Sequence, residues 1–137
     1  MSQSSENSAQ STRDRPKKLL GHEEPRIFTP PLRKLTPKTS LGFACIEFAE
    51  DVCDVTLYPW QKWLLVHALE LHPDGGFRFR TIVVLVARQN GKSMLSVILS
   101  LFFMYVLGRE LVIGTAQDLD VAEEIWQEAV DVVEDVP

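Results

Sequence analysis

Thr81-Ile82-Val83-Val84-Leu85-Val86-Ala87-Arg88-Gln89-Asn90-Gly91-Lys92-Ser93, leading into the apolar run Met94 to Leu107, is the stretch on which the fold turns. Its first half is β-branched and apolar without alternation, the pattern of a strand covered on both faces. Its second half reads as a buried helix. Strand, loop, Gly-Lys-Ser and helix in that order predict a phosphate-binding loop. In such a loop, backbone N–H groups and the helix N-terminus surround a phosphate chain. The Lys92 ammonium then reaches the β and γ oxygens, and the Ser93 hydroxyl ligates Mg²⁺. One position departs from the motif. Val86 stands where the first glycine is usual, which implies an extended backbone there, and Arg88 and Gln89 lie inside the loop. Packing alone does not explain a guanidinium at Arg88. It can reach a γ-phosphate and offset the charge that develops in phosphoryl transfer, or it can pair with a carboxylate or simply face solvent.

Working outward, Lys92 to Leu107 is apolar nearly all round and must pack on more than one side. Gly108 suits the C′ position, and Leu111 to Gly114 reads as a second short buried strand. Strand 77–86, the helix and this strand then make a right-handed βαβ unit. Asp118 or Asp120 caps a last helix, whose apolar stripe is Val121, Ala122, Ile125, Trp126, Ala129, Val130 and Val133. Upstream, His72-Pro73-Asp74-Gly75-Gly76 is a strong break. Pro59 suits a first helical turn, predicting a helix from Pro59 to about Leu71 that buries Trp60, Leu64, Ala68 and Leu71. Ser40 is a candidate N-cap for a helix with Leu41, Ala44, Cys45, Phe48, Ala49 and Val52 on one face. Residues 1–39 lack hydrophobic periodicity and read as a disordered or loosely docked basic and polar extension.

Charge divides the chain. Residues 1–40 carry eight Lys/Arg against four Asp/Glu, and residues 41–137 carry six against fifteen. A body this acidic has no overall electrostatic drive toward nucleic acid, so any DNA contact needs a local patch or the tail. The basic run Arg13 to Lys18 is read as a solvated tail. Cys45 and Cys53 lack a metal-binding spacing and predict free thiols. His22, His67 and His72 are scattered with no metal-ligand spacing. Met94 to Leu107 is fourteen residues, too short to span a bilayer.

One further motif bears on chemistry. In Tyr58-Pro59-Trp60-Gln61 the glutamine amide presents a donor and an acceptor, which fits an adenine edge, with Tyr58 or Trp60 packing nearby. It lies 31 residues ahead of Lys92. Such a motif also has an ordinary structural role at a helix start.

Together, Tyr58-Pro59-Trp60-Gln61, the Asp74-Gly75-Gly76 turn and Val86 to Ser93 resemble the ATPase region of the tailed-bacteriophage terminase large subunit. The resemblance covers about residues 40–137. In that family the phosphate loop lacks the first glycine and carries Arg, then Gln or Lys, ahead of Gly-Lys-Ser/Thr. It implies an α/β fold, a parallel sheet of the P-loop NTPase (ASCE) type with flanking helices, incomplete here. Residues 40–137 would be the N-terminal portion of the domain, cut before Walker B.

The resemblance implies an ATP-binding hydrolase with ATP and Mg²⁺ as cofactors. Arg88 and Lys92 would be catalytic. Gln61, Gln89, Asn90, Gly91, Lys92 and Ser93 would bind the nucleotide, and Ser93 the metal. Thr115-Ala116-Gln117 matches a region where related motors touch DNA. Implied partners are double-stranded DNA, the portal protein, the small terminase subunit and further copies of the motor subunit. The implied place is the cytoplasm of a bacterial host, with no membrane. No apolar strand ending in Asp-Glu follows residue 114, since Glu134-Asp135 is reversed in order and helical in context, so the chain by itself is expected to show little turnover. Two alternatives are part of a helicase-like nucleic-acid ATPase, and a non-catalytic remnant or interaction module.

Overall fold

Pro59, following an extended Tyr58, starts the helix around which the chain is arranged. Proline has no N–H to leave unpaired in the first turn, and the Tyr58 N–H donates to Gln61 Oε1 at 2.7 Å. This structure is a computed structural model, and it describes residues 22–136. Its helices are α1 (Gly42–Glu47), α2 (Pro59–Ala68), α3 (Lys92–Leu101) and α4 (Leu119–Glu134). α1 and α3 each run on into a π-helical turn, Phe48–Val52 and Phe102–Val106. α2 stops short of the expected Leu71. Leu41 N–H donates to Leu69 O at 3.0 Å, and Leu71 N–H to Thr39 O at 2.8 Å. These tertiary bonds draw the backbone out of the helix and form an isolated antiparallel bridge between Ser40 and Glu70.

α1 crosses α2 at Gly42. A Cβ there would run into the backbone at Leu65 O and Val66 Cα. Ser40 lies beneath this crossing, fully buried. Its hydroxyl donates to Val66 O at 2.6 Å and accepts the Gly42 N–H at 3.0 Å. The expected cap residue is therefore a bridge between two helices, and the N-cap position itself is Leu41. α3 is packed on two sides, as its composition required. Leu95, Ile98 and Phe102 join Cys45, Leu65 and Leu69 in the main core. Val97 and Leu101 form a second cluster with Ala129 of α4. Each buried Leu, Ile, Val or Phe among these contributes about 1.5–3 kcal/mol.

The expected α/β fold with a parallel sheet is not what forms. Among the described residues there is no sheet, only two isolated bridges, Ser40 with Glu70 and Leu71 with Phe77. Residues 81–87 and 111–116 are irregular. Ile82, Val83 and Leu85 are 47%, 79% and 94% exposed, and Leu111 and Ile113 are both 74% exposed. A parallel strand needs a hydrogen-bonded neighbour and cover on both faces. Neither stretch has either, so β-branched composition does not become a strand. The βαβ unit falls with the sheet.

Of the expected extension, residues 1–21 lie outside the described residues. From Phe28 onward the extension is docked on the body. Phe28 meets the Trp63 ring edge-on at 5.0 Å, and Trp63 stacks on His67 at 3.7 Å. Leu32 N–H donates to Glu70 Oε1 at 2.8 Å, and Arg78 Nη1 donates to both Glu70 Oε2 at 2.6 Å and Pro30 O at 2.8 Å. Burial pushes the Glu70 carboxyl up, but Arg78 and the Leu32 N–H outweigh burial and hold it below the usual carboxylate range. Cys45 and Cys53 are free thiols. Burial, with Cys53 adding to it, pushes Cys45 up to about 12, which leaves it unreactive.

Candidate functional site

The loop between residues 87 and 92 is built by two left-handed residues. Gln89 has φ 62° and Gly91 has φ 80°. A non-glycine residue at positive φ is uncommon and is held there only by its surroundings. Gly91 is the N-cap of α3, and no side chain caps that helix. The N–H groups of its first turn therefore have no side-chain acceptor, which suits an anion. Gly91 is also hemmed in. A Cβ would stand 2.9 Å from Gln61 Nε2 and 3.1 Å from the Tyr58 ring, so both space and backbone angle require glycine.

Arg88, Gln89, Asn90, Lys92 and Ser93 are exposed, and Gly91 is half-buried. They form one contiguous rim at the N-terminus of α3. Among the described residues, neither Arg88 nor Lys92 forms an ion pair. Of the three possibilities for Arg88, a carboxylate partner is thus not seen among those residues. Lys92 borders an apolar cleft of about 280 Å³ between α2 and α3, with Leu64, Leu65, Leu95 and Leu99.

Gln61 is brought to this loop from the first turn of α2. Its Nε2 donates to Gly91 O at 2.7 Å, and its Oε1 accepts the Tyr58 N–H at 2.7 Å. The side chain is 2% exposed. The sequence motif thus meets the loop, with both ends of its amide engaged by the protein where an adenine edge was expected. A second cleft of about 280 Å³ lies beside the loop, lined by Tyr58, Pro59 and Trp60 on one side and Gln89 and Asn90 on the other. His22 and Glu23 also line it. Nothing in their sequence context marked these two residues, because their approach depends on how the extension docks.

Other readings resolve differently. His67 serves packing, stacked on Trp63 with its Nδ1 2.8 Å from Trp63 O. Thr115, Ala116 and Gln117 are exposed on irregular backbone, away from any partner element that would orient them. Asp118, not Asp120, caps α4, accepting the Val121 N–H at 3.1 Å. Among the described residues no group of three His, Cys, Asp or Glu is placed to hold a metal ion. No helix among them is long and apolar enough to cross a membrane.

The chain matches no protein-family model, no curated protein and no solved structure.

Proposed function

We propose that residues 88–93 bind the phosphate chain of ATP with Mg²⁺, as the nucleotide-binding part of a terminase-like DNA-packaging motor. The observation that carries this reading is the uncapped N-terminus of α3, set behind a left-handed Gly91 with Arg88, Lys92 and Ser93 open to solvent beside it. These residues fit the group they would hold. Helix N–H donors favour an anion. The Lys92 ammonium supplies a cation for the β and γ oxygens, and the Ser93 hydroxyl supplies a hard oxygen ligand for Mg²⁺. Arg88 supplies a second cation to offset charge on the terminal phosphate. The cleft beside Tyr58 and Trp60 offers aromatic faces for a base. Bound Mg²⁺ would neutralise phosphate charge. The DNA, portal, small-subunit and self-association partners, and the bacterial cytoplasm, belong to this same proposal. The acidic charge of residues 41–137 supplies no general attraction for DNA.

Thermal melts with and without Mg-ATP test the reading. The melting temperature is expected to rise with ligand, since a ligand at 100 times its Kd stabilises by about 2.7 kcal/mol. Lys92→Ala should weaken binding between about ten- and a hundredfold, the cost of one charge-assisted contact. Ser93→Ala should remove the Mg²⁺ dependence. Binding is expected without motor-rate turnover, because Glu134 and Asp135 lie at the end of α4 and not at a strand end. A melting temperature indifferent to nucleotide would overturn the proposal. The bare apolar stretches at 82–85 and 111–113 favour a second reading, an interaction module without catalysis. A cooperative melt with no nucleotide response would support that reading.

A further inference from the structure

We infer that Gln61 is a positioning residue for the phosphate loop and does not select the base; this rests on the nucleotide reading above. An amide reads an adenine edge by presenting a donor and an acceptor together. In Gln61 the oxygen accepts the Tyr58 N–H and the nitrogen donates to Gly91 O, both at 2.7 Å. One further donor and one further acceptor remain on the amide, but on a side chain that is 2% exposed. A base has no approach to them.

What the amide does control is a peptide plane. In a trans peptide the C=O of one residue and the N–H of the next point in opposite directions. The Gly91 carbonyl accepts the Leu95 N–H at 3.4 Å and Gln61 Nε2 at 2.7 Å, so Gln61 supplies the shorter of its two bonds and helps hold the Lys92 N–H, the first donor of α3, pointing away from Gln61. The Tyr58 ring stands beside the Gln61 amide on that same face of Gly91, so the residue cannot swing toward α2 without displacing both side chains. Tyr58 N–H, Gln61 amide and Gly91 carbonyl form a relay that makes the start of α2 and the start of α3 one rigid unit. Gln61 thereby sets the affinity for the phosphate chain, whichever base is attached to it.

Two variants separate the roles. Gln61→Glu keeps the acceptor for Tyr58 and the shape, but sets an oxygen against the Gly91 carbonyl. Gln61→Met keeps the volume and removes both bonds. Thermal melts establish that each is folded. Binding of Mg-ATP, Mg-GTP and Mg-tripolyphosphate is then compared with the unaltered chain, and amide exchange at residues 92–95 is measured without ligand. The expected result is a loss of about tenfold, equal for all three ligands, with faster exchange at 92–95. A loss confined to ATP would overturn the inference and return Gln61 to base reading. Unchanged exchange in both variants would overturn it whatever the ligands do. If the unaltered chain binds none of the three, the nucleotide reading fails, and the exchange measurement still decides whether Gln61 holds the loop.

Discussion

Gly42 sits where α1 crosses the backbone of α2, and its missing side chain is what lets the two helices meet. Two effects oppose each other at this position. Alanine is the better helix former by about 1 kcal/mol. Against that, its methyl would strike Leu65 O and Val66 Cα, which are main-chain atoms that cannot rotate aside. Overpacking against such atoms costs about 3 kcal/mol, so the clash wins. Gly42→Ala should lower stability by about 2 kcal/mol, read as a lower denaturation midpoint with an unchanged slope; an unchanged or higher midpoint would sink this account. Gly91 and Gln61 show how far single residues were legible. The loop before Lys-Ser was readable as a loop; that Gly91 is left-handed in it is a finding of the structure. Gln61 stands out in the sequence for an amide that fits an adenine edge, not for contact with that turn. Which atoms its amide would face was not readable, because that depends on Tyr58 and Gly91 arriving at one place from separate elements.

At the scale of elements, the starts of α2, α3 and α4 were readable because each rests on local chemistry, whereas Ser40, the expected cap of α1, is not its N-cap. Pro59 opens α2, Gly91 precedes α3, and Asp118 caps α4. The last of these is testable. Asp118→Ala removes the acceptor for the Val121 N–H and should cost about 1 kcal/mol. Asp120→Ala should cost much less, since Asp120 makes no cap bond. Comparing the denaturation midpoints of the two variants checks this, and equal losses would count against the assignment. Helix ends and strands were less readable. α2 ends where Thr39 and Leu41 take its last backbone groups. The stretches at 82–85 and 111–113 have strand composition but no ladder to join. A strand is half of a contact, and composition describes only one half. α4 shows the same limit: Ala129 is buried, yet Trp126 and Val130 of the same apolar stripe are 47% and 42% exposed.

For the whole molecule, Glu70 and Arg78 tie the extension to the body through Leu32 and Pro30. The Glu70 carboxyl is held below its ordinary value in the folded chain. In the unfolded chain it would titrate near about 4.3. A depressed folded value means that the stabilisation is complete above that pH and is lost as pH falls through the folded value. Stability should therefore be flat from neutral pH down to about pH 5 and fall in more acid solution. Glu70→Gln should flatten that acid limb, measured as denaturation midpoint against pH; an unchanged limb would show that other carboxylates dominate it. Arg78→Ala removes the cationic partner of the buried Glu70 carboxylate and should cost about 3 kcal/mol at neutral pH.

The amino-acid sequence by itself determined that α2 opens at Pro59 and α3 after Gly91, that α3 needs cover on two sides, and that Arg88 to Ser93 lie in the turn before α3, for which phosphate binding is a proposal. Those features depend on residues within a turn or two of one another. The tertiary structure alone decided the rest: the exposed irregular course of 82–85 and 111–113, the docking of Phe28 onto α2 and of Leu32 to Thr39 onto Glu70 and Leu71 just after it, the Glu70–Arg78 node, and the locking of Gln61 onto Gly91. Each of these joins groups up to 48 residues apart or turns on whether a distant partner is present. Such outcomes follow from which surfaces meet, and local composition does not specify that.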